Sequence, residues 1–161
     1  MKKFCILLLF AFASAGIWAE NSTFYTIKAE DFTNYIVGPS DTDSTKYLYK
    51  WEKPVCVMIC IDGGPALNMY HLLRDYILPD YGQTVNFFMI VDDDQYSKET
   101  LQIFKILSNN PERNNVITLF INGEKGTSKF RIVRINGYNY TKDNEITDII
   151  RIQLDQLIRE Y

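Results

Sequence analysis

The chain has 161 residues, of which 47% are hydrophobic and 23% charged, with a net charge of −3 at pH 7. That balance suits an ordinary globular domain and excludes a disordered or collagen-like chain. No Lys/Arg block occurs, and an acidic chain without clustered cations is a poor partner for nucleic acid, whose phosphates need them.

Lys2-Lys3 precede an uncharged run from Phe4 to Ala19, and Glu20 ends it. A positive start, an apolar stretch and small residues near its end have the form of a secretory signal. Residues 1–19 are therefore expected to be a signal peptide and 20–161 the domain. Ala13-Ser14-Ala15 offers a cut after Ala15, and Ile17-Trp18-Ala19 one after Ala19. Sixteen apolar residues fall short of the ~20 that span a bilayer, so no integral membrane segment is expected once the signal is gone. Cys5 lies too early to be the acylated cysteine of a lipoprotein. Cleavage after Ala19 removes 19 of the 161 residues, leaves 142, and takes the net charge to −5 with the loss of Lys2 and Lys3. The expected location is the periplasm or the extracellular space.

Phe24 to Lys28 reads as a short strand, and Ala29-Glu30-Asp31-Phe32 opens a helix carrying Phe32, Tyr35 and Ile36. Gly38 to Ser44 is rich in breakers and reads as a polar loop. Val55 to Ile61 is apolar on both faces, as expected of a strand covered on both sides of a sheet. Pro65 suits a first helical position; Ala66, Met69, Tyr70, Leu73 and Ile77 follow helical spacing, and Pro79 is expected to stop the helix. Val85 to Val91 forms another buried strand. Ser97 caps a helix through Leu101, Phe104 and Leu107, which ends before Asn109-Asn110-Pro111. Val116 to Ile121 and Phe130 to Ile135 form a hairpin, with Asn122-Gly123 as its turn signal. Ile146, Ile149, Ile150, Leu154, Leu157, Ile158 and Tyr161 make one stripe of a final helix, with Asp155 and Arg159 paired on its wet side. The order is β-α-β-α-β-α-β-β-α. Helices between strands imply parallel crossovers and the closing hairpin an antiparallel strand, hence an α/β mixed sheet between two helical layers.

Of the three cysteines, only Cys56 and Cys60 follow the signal. Both lie on one strand, where four residues span ~13 Å, whereas bridged Cα atoms sit ~4.4–6.8 Å apart. They are expected to be free, buried thiols.

Two fragments now carry a resemblance. Lys53 to Asn68, "KPVCVMICIDGGPALN", resembles the strand and active-site turn of thioredoxin-fold proteins, Lys-Pro-Val leading into Trp-Cys-Gly-Pro-Cys. Val116 to Glu124, "VITLFINGE", resembles the family's Val-Pro-Thr strand ending in Asn-Gly-Glu or Asn-Gly-Lys. The likeness runs from about Phe24 to Tyr161 and implies a thioredoxin-like fold. The family's chemistry is missing. Aligned on Gly64-Pro65, its two cysteines fall on Gly63 and Ala66, and its buried proton-transfer carboxylate falls on Val57. Its cis-proline is replaced by Ile117 or Asn115, where a trans bond is expected because non-proline cis costs ~2.5–4 kcal/mol. Thiol exchange needs a thiolate at the helix start and a second thiol to resolve the mixed disulfide. Neither sulfur is present.

Other chemistries fail on composition. Asp62-Gly63-Gly64-Pro65 resembles the Asp-Asp-Gly-Pro of metal-dependent polysaccharide deacetylases, but those need a second aspartate and paired histidines, and His71 is the only histidine. An Asp-x-Asp phosphotransfer motif is blocked by Gly64, and no phosphate loop occurs. An anion on the Gly63 and Gly64 amides would be repelled by Asp62. The simpler expectation is that the glycines serve a tight turn and Asp62 caps the helix. Asp92-Asp93-Asp94 could offer oxygen ligands to calcium or magnesium, but consecutive residues diverge, and a solvated turn leading to the Ser97 cap is the simpler expectation. No catalytic residue, metal site or cofactor is assigned.

The signal-like start and the missing sulfurs give the expectation of an exported, redox-inactive domain, and the resemblance implies that it binds a protein or peptide, or serves as a scaffold. Its expected rim is Asp62, Gly63, Gly64, Pro65 and Ala66, together with Val116 and Ile117. The alternatives are an oxidoreductase using a single unconventional thiol, Cys60, and a structural subunit of an envelope complex.

Overall fold

The computed structural model describes residues 24–61, 63–92, 97–106, 116–138 and 143–161. The expected signal peptide, Asp62, Asp93, Asp94, Leu107, Asn109-Asn110-Pro111 and Asn115 lie outside these.

Five strands form the central sheet: β1 (Phe24–Ile27), β4 (Val55–Cys60), β5 (Asn86–Val91), β6 (Val116–Gly123) and β7 (Phe130–Asn136), in the order β1-β5-β4-β6-β7. β1 and β4 run parallel to β5, while β6 is antiparallel to both β4 and β7. The expected mixed sheet is therefore present. Of its three interior strands, β4 and β6 are buried almost throughout, which is why their sequences are apolar on both faces.

One helical layer holds α1 (Ala29–Asp31), which continues through a π-helical turn at Phe32–Ile36, and α4 (Lys98–Ile106). Phe32, Ile36, Ile103 and Phe104 pack there on Val57, Ile59, Phe88, Ile90 and Leu119. The other layer holds α2 (Gly63–Leu72), a π-helical turn at Leu73–Ile77, α3 (Leu78–Tyr81) and α5 (Asp143–Arg159). Met69, Leu73, Ile77, Ile150, Leu154 and Leu157 pack there on Cys56, Met58, Phe87 and Phe120.

Several local expectations are corrected. The segment around Gly38 is not only a loop, because a hairpin of β2 (Val37–Pro39) and β3 (Tyr47–Tyr49) forms there. The buried Tyr49 hydroxyl donates to Lys53 O and Ile121 O, pinning this hairpin to the sheet. Pro79 does not stop its helix. Leu78 N–H donates to Leu73 C=O, five residues back, and the wider turn makes room for a ring that carries no N–H. The chain then stays helical to Tyr81. Asn122-Gly123 is the end of β6, paired with Arg131 and Phe130; the turn comes later and places Gly126 at a φ of 77°. On α5, Ile149 is exposed while Ile150, Leu154 and Leu157 are fully buried, and the exposed Tyr161 lies beyond the helix, so the buried stripe is narrower than expected. Tyr35 is likewise exposed. Arg159 Nε donates to the backbone oxygen of Asp155, whose carboxylate accepts from Tyr81 Oη at 2.7 Å.

Candidate functional site

β4 delivers the chain to the carboxyl end of the sheet, where Cys60 is half-buried and Ile61 buried, and α2 begins at Gly63. Gly63, Gly64, Pro65 and Ala66 form its first turn, so Pro65 is the third helical residue and not the first. A proline is tolerated there because first-turn N–H groups have no intrahelical acceptor. Gly63 and Gly64 are exposed, Pro65 is half-buried, and Ala66 is buried. Neither glycine has a positive φ, and a Cβ added to either would meet nothing within 4 Å. The tight-turn explanation for this glycine pair therefore fails. Nothing near either position would meet an added Cβ, and their effect is to leave the surface there without side chains.

Register sets the start of β6 beside this turn, with Val116 opposite Cys60 and Ile117 opposite Ile59. The two halves of the expected rim are thus neighbours, but they are not equivalent. Val116 and Ile117 are fully buried, and Ile117 pairs with β7 on its other side. The Val116 carbonyl already accepts from Gly137 N–H at 2.8 Å. Their side chains belong to the core, and the accessible part of the rim is the first turn of α2.

That turn borders a cavity of about 400 Å³ lined by Met58, Cys60, Gly63, Ala66, Leu67, Tyr70 and Met89. Leu67 is 55% exposed at its mouth, and Val91, in register with Cys60, is 50% exposed. Tyr70 is held edge-on to Phe24 with ring centres 5.3 Å apart, and the Arg74 guanidinium lies over its ring. Cys60 and Ala66 were visible in sequence as motif positions. Leu67, Tyr70 and Met89 were not, because a lining drawn from one helix face and two strands needs the register to assemble it.

Both thiols are free, as expected. Burial pushes the Cys60 thiol up to about 11 and Cys56 well above its ordinary value. This is the reverse of the depressed pKa of an attacking thiolate. Asp92 is buried and its carboxylate accepts from Ser97 N–H at 3.1 Å, so this part of the aspartate run is not a solvated turn. Ser97 caps α4 as expected, accepting from Thr100 N–H. His71 is half-exposed with Nδ1 4.0 Å from Asp75 Oδ2, an acidic neighbour the sequence reading did not identify. Asp75 is itself engaged by Arg74, whose hydrogen bonds hold its carboxyl below the usual range. Among the described residues, no group of three or more His, Cys, Asp and Glu is placed to hold a metal, and no helix is long and apolar enough to cross a membrane. No cis peptide bond occurs among them either.

No protein-family model and no curated protein matches the chain. Among solved structures it is similar to the Trx4 domain of ERdj5, with a TM-score of 0.51 at 12% identity, covering 83% of this chain and 97% of that one. At that identity the likeness establishes the fold alone. The chain has a thioredoxin-like fold.

Proposed function

We propose that the chain is an exported, redox-inactive thioredoxin-like domain that binds an extended protein segment, or serves as a scaffold for one. The observation that carries this reading is the first turn of α2. Two exposed glycines there, at which an added Cβ would meet nothing nearby, border an apolar cavity with Leu67 at its mouth. Two residues without side chains beside an apolar pocket suit an extended chain that brings its own backbone close and seats a large side chain. Export rests on Lys2-Lys3 and the apolar run Phe4 to Ala19. Redox inactivity rests on the absence of sulfur from Gly63 to Ala66. Arrays of 12-residue peptides test the binding reading. The purified protein is expected to prefer peptides with a central large apolar residue, and Leu67→Asp to weaken that binding at least tenfold with the fold retained. Uniform or absent binding, or an unaffected variant, overturns it.

A second reading uses Cys60 as a lone redox thiol, favoured by its place on the cavity wall. Its raised pKa opposes it. An insulin-reduction assay separates the two, since turnover that disappears in Cys60→Ser would establish the thiol reading, and no turnover above buffer is expected.

A further inference from the structure

Sulfur is distributed unevenly in this molecule. The chain after the N-terminal apolar run contains five sulfur side chains, Cys56, Met58, Cys60, Met69 and Met89. All five belong to the core on the α2 and α5 side of the sheet. The opposite core is built of Ile, Leu, Val, Phe, Tyr, Trp and Ala, with no sulfur among its members. Methionine used only as a flexible gap-filler has no reason to avoid one of two cores of similar make-up.

The register explains how these side chains meet. Cys56, Met58 and Cys60 alternate along β4 and so share one face. Met89 is the partner of Met58 across the parallel β4–β5 pair, which places the two side by side on that face. Met58, Cys60 and Met89 then line one cavity, flanked by Ala66, Leu67 and Tyr70 of α2. Thr118 is in register with Met58 on the β6 side, and its buried hydroxyl has no hydrogen-bond partner among the described residues. It is a spare donor next to the sulfur row.

We propose that Met58, Cys60 and Met89 form a binding site for a soft monovalent metal ion, copper(I), with one thiolate and two thioether ligands. Thiolate and thioether sulfur select copper(I), whereas calcium and magnesium want several oxygen ligands, and no carboxylate side chain among the described residues lines this cavity. Charge also fits. Copper(I) on one thiolate is neutral overall, so an apolar cavity can hold it without an unpaired buried charge. Binding replaces the Cys60 S–H bond with a sulfur–copper bond, the proton leaves to solvent, and copper remains in the +1 state throughout. The copper ligands lie on the strands at the floor of the same cavity whose mouth the peptide reading uses; copper(I) retention is measured without peptide, so either reading can fail while the other stands.

The test is an anaerobic titration of the full chain, carrying Cys5→Ser, with copper(I) supplied in acetonitrile and a chromophoric copper(I) chelator as competitor. One copper(I) per chain is expected, with a near-ultraviolet thiolate-to-copper band and a first shell of about three sulfurs in X-ray absorption. Met89→Leu and Met58→Leu keep side-chain volume and are expected to weaken binding at least tenfold, while Cys60→Ser removes the band. Circular dichroism checks that each variant is folded, and the X-ray absorption of the unmutated site needs no variant. No copper retained against the competitor, a nitrogen or oxygen shell, or undiminished binding by both folded methionine variants would overturn the proposal.

Discussion

At the scale of single residues, three glycines show that the same letter answers to different causes. A Cβ at Gly38 would lie 2.0 Å from Thr33 O, so the β2 strand cannot sit against the π-helical turn with any larger residue. Gly38→Ala is expected to cost about 1–3 kcal/mol as the hairpin shifts to relieve the clash, measured as a lower urea midpoint. Gly63 and Gly64 meet nothing, and neither holds a positive φ. Alanine at either helical position is expected to leave stability unchanged or to raise it by up to about 1 kcal/mol. If these glycines serve a partner, the same substitutions weaken peptide binding while the urea midpoint holds or rises. That opposite movement of binding and stability distinguishes a binding position from a structural one. In sequence the three glycines look alike, because a clash with Thr33 or its absence is a fact of three-dimensional approach.

At the scale of elements, the strands were legible because β4 and β6 are buried on both faces and their runs of Val, Ile, Leu, Phe, Met and Cys say so directly. The β2–β3 hairpin was not, since each strand has only three residues and one contains both Gly38 and Pro39. Helix boundaries failed where a π-helical turn intervened, as at Pro79, because that turn breaks the spacing on which the reading depends. Asn122 shows another hidden dependence. It looked like a turn residue, yet it is buried, its Nδ2 donates to Leu157 O at 3.0 Å, and its Oδ1 accepts from Gly123 N–H. One side chain thus ties the end of β6 to the last turns of α5. Asn122→Ala leaves the half-buried Gly123 N–H and the buried Leu157 carbonyl short of these partners, with an expected loss of about 1–3 kcal/mol. Hydrogen exchange should accelerate in the last two turns of α5 more than at its start, whereas a uniform change along the helix would sink the tether.

For the whole molecule, element order alone was enough to give the mixed sheet and its two helical layers, because parallel crossovers leave few arrangements. The cavity was not readable that way, since Leu67 falls off the helix stripe and Met89 reaches the site only through pairing with Met58. The partition of polar and apolar groups between layers has its own consequence for alkaline stability. Cys56 is fully buried and Cys60 partly so, and burial raises both thiols above their ordinary pKa. An unfolded thiol ionises near ~8.5, so above that pH the unfolded chain has lost protons that the folded chain still holds. The folded state's advantage is therefore complete below about pH 8.5 and is lost progressively as pH rises toward the folded values. Each fully buried thiol contributes a fall of about 1.4 kcal/mol per pH unit, with Cys60 adding less because it is partly solvated. Tyr81, raised to about 12 by burial and by its bond to Asp155, and the more deeply buried Tyr49, raised further, join the same trend above pH ~10. The urea midpoint is expected to be level from pH 7 to 8 and to drop steadily from pH 9 to 11. Cys56→Val combined with Cys60→Ser should flatten the curve between pH 8.5 and 10 and leave the tyrosine-driven fall above it. A wild-type midpoint that stays level through pH 10 would mean that the thiols reach water in the folded state, and the burial of Cys56 described here would then be wrong.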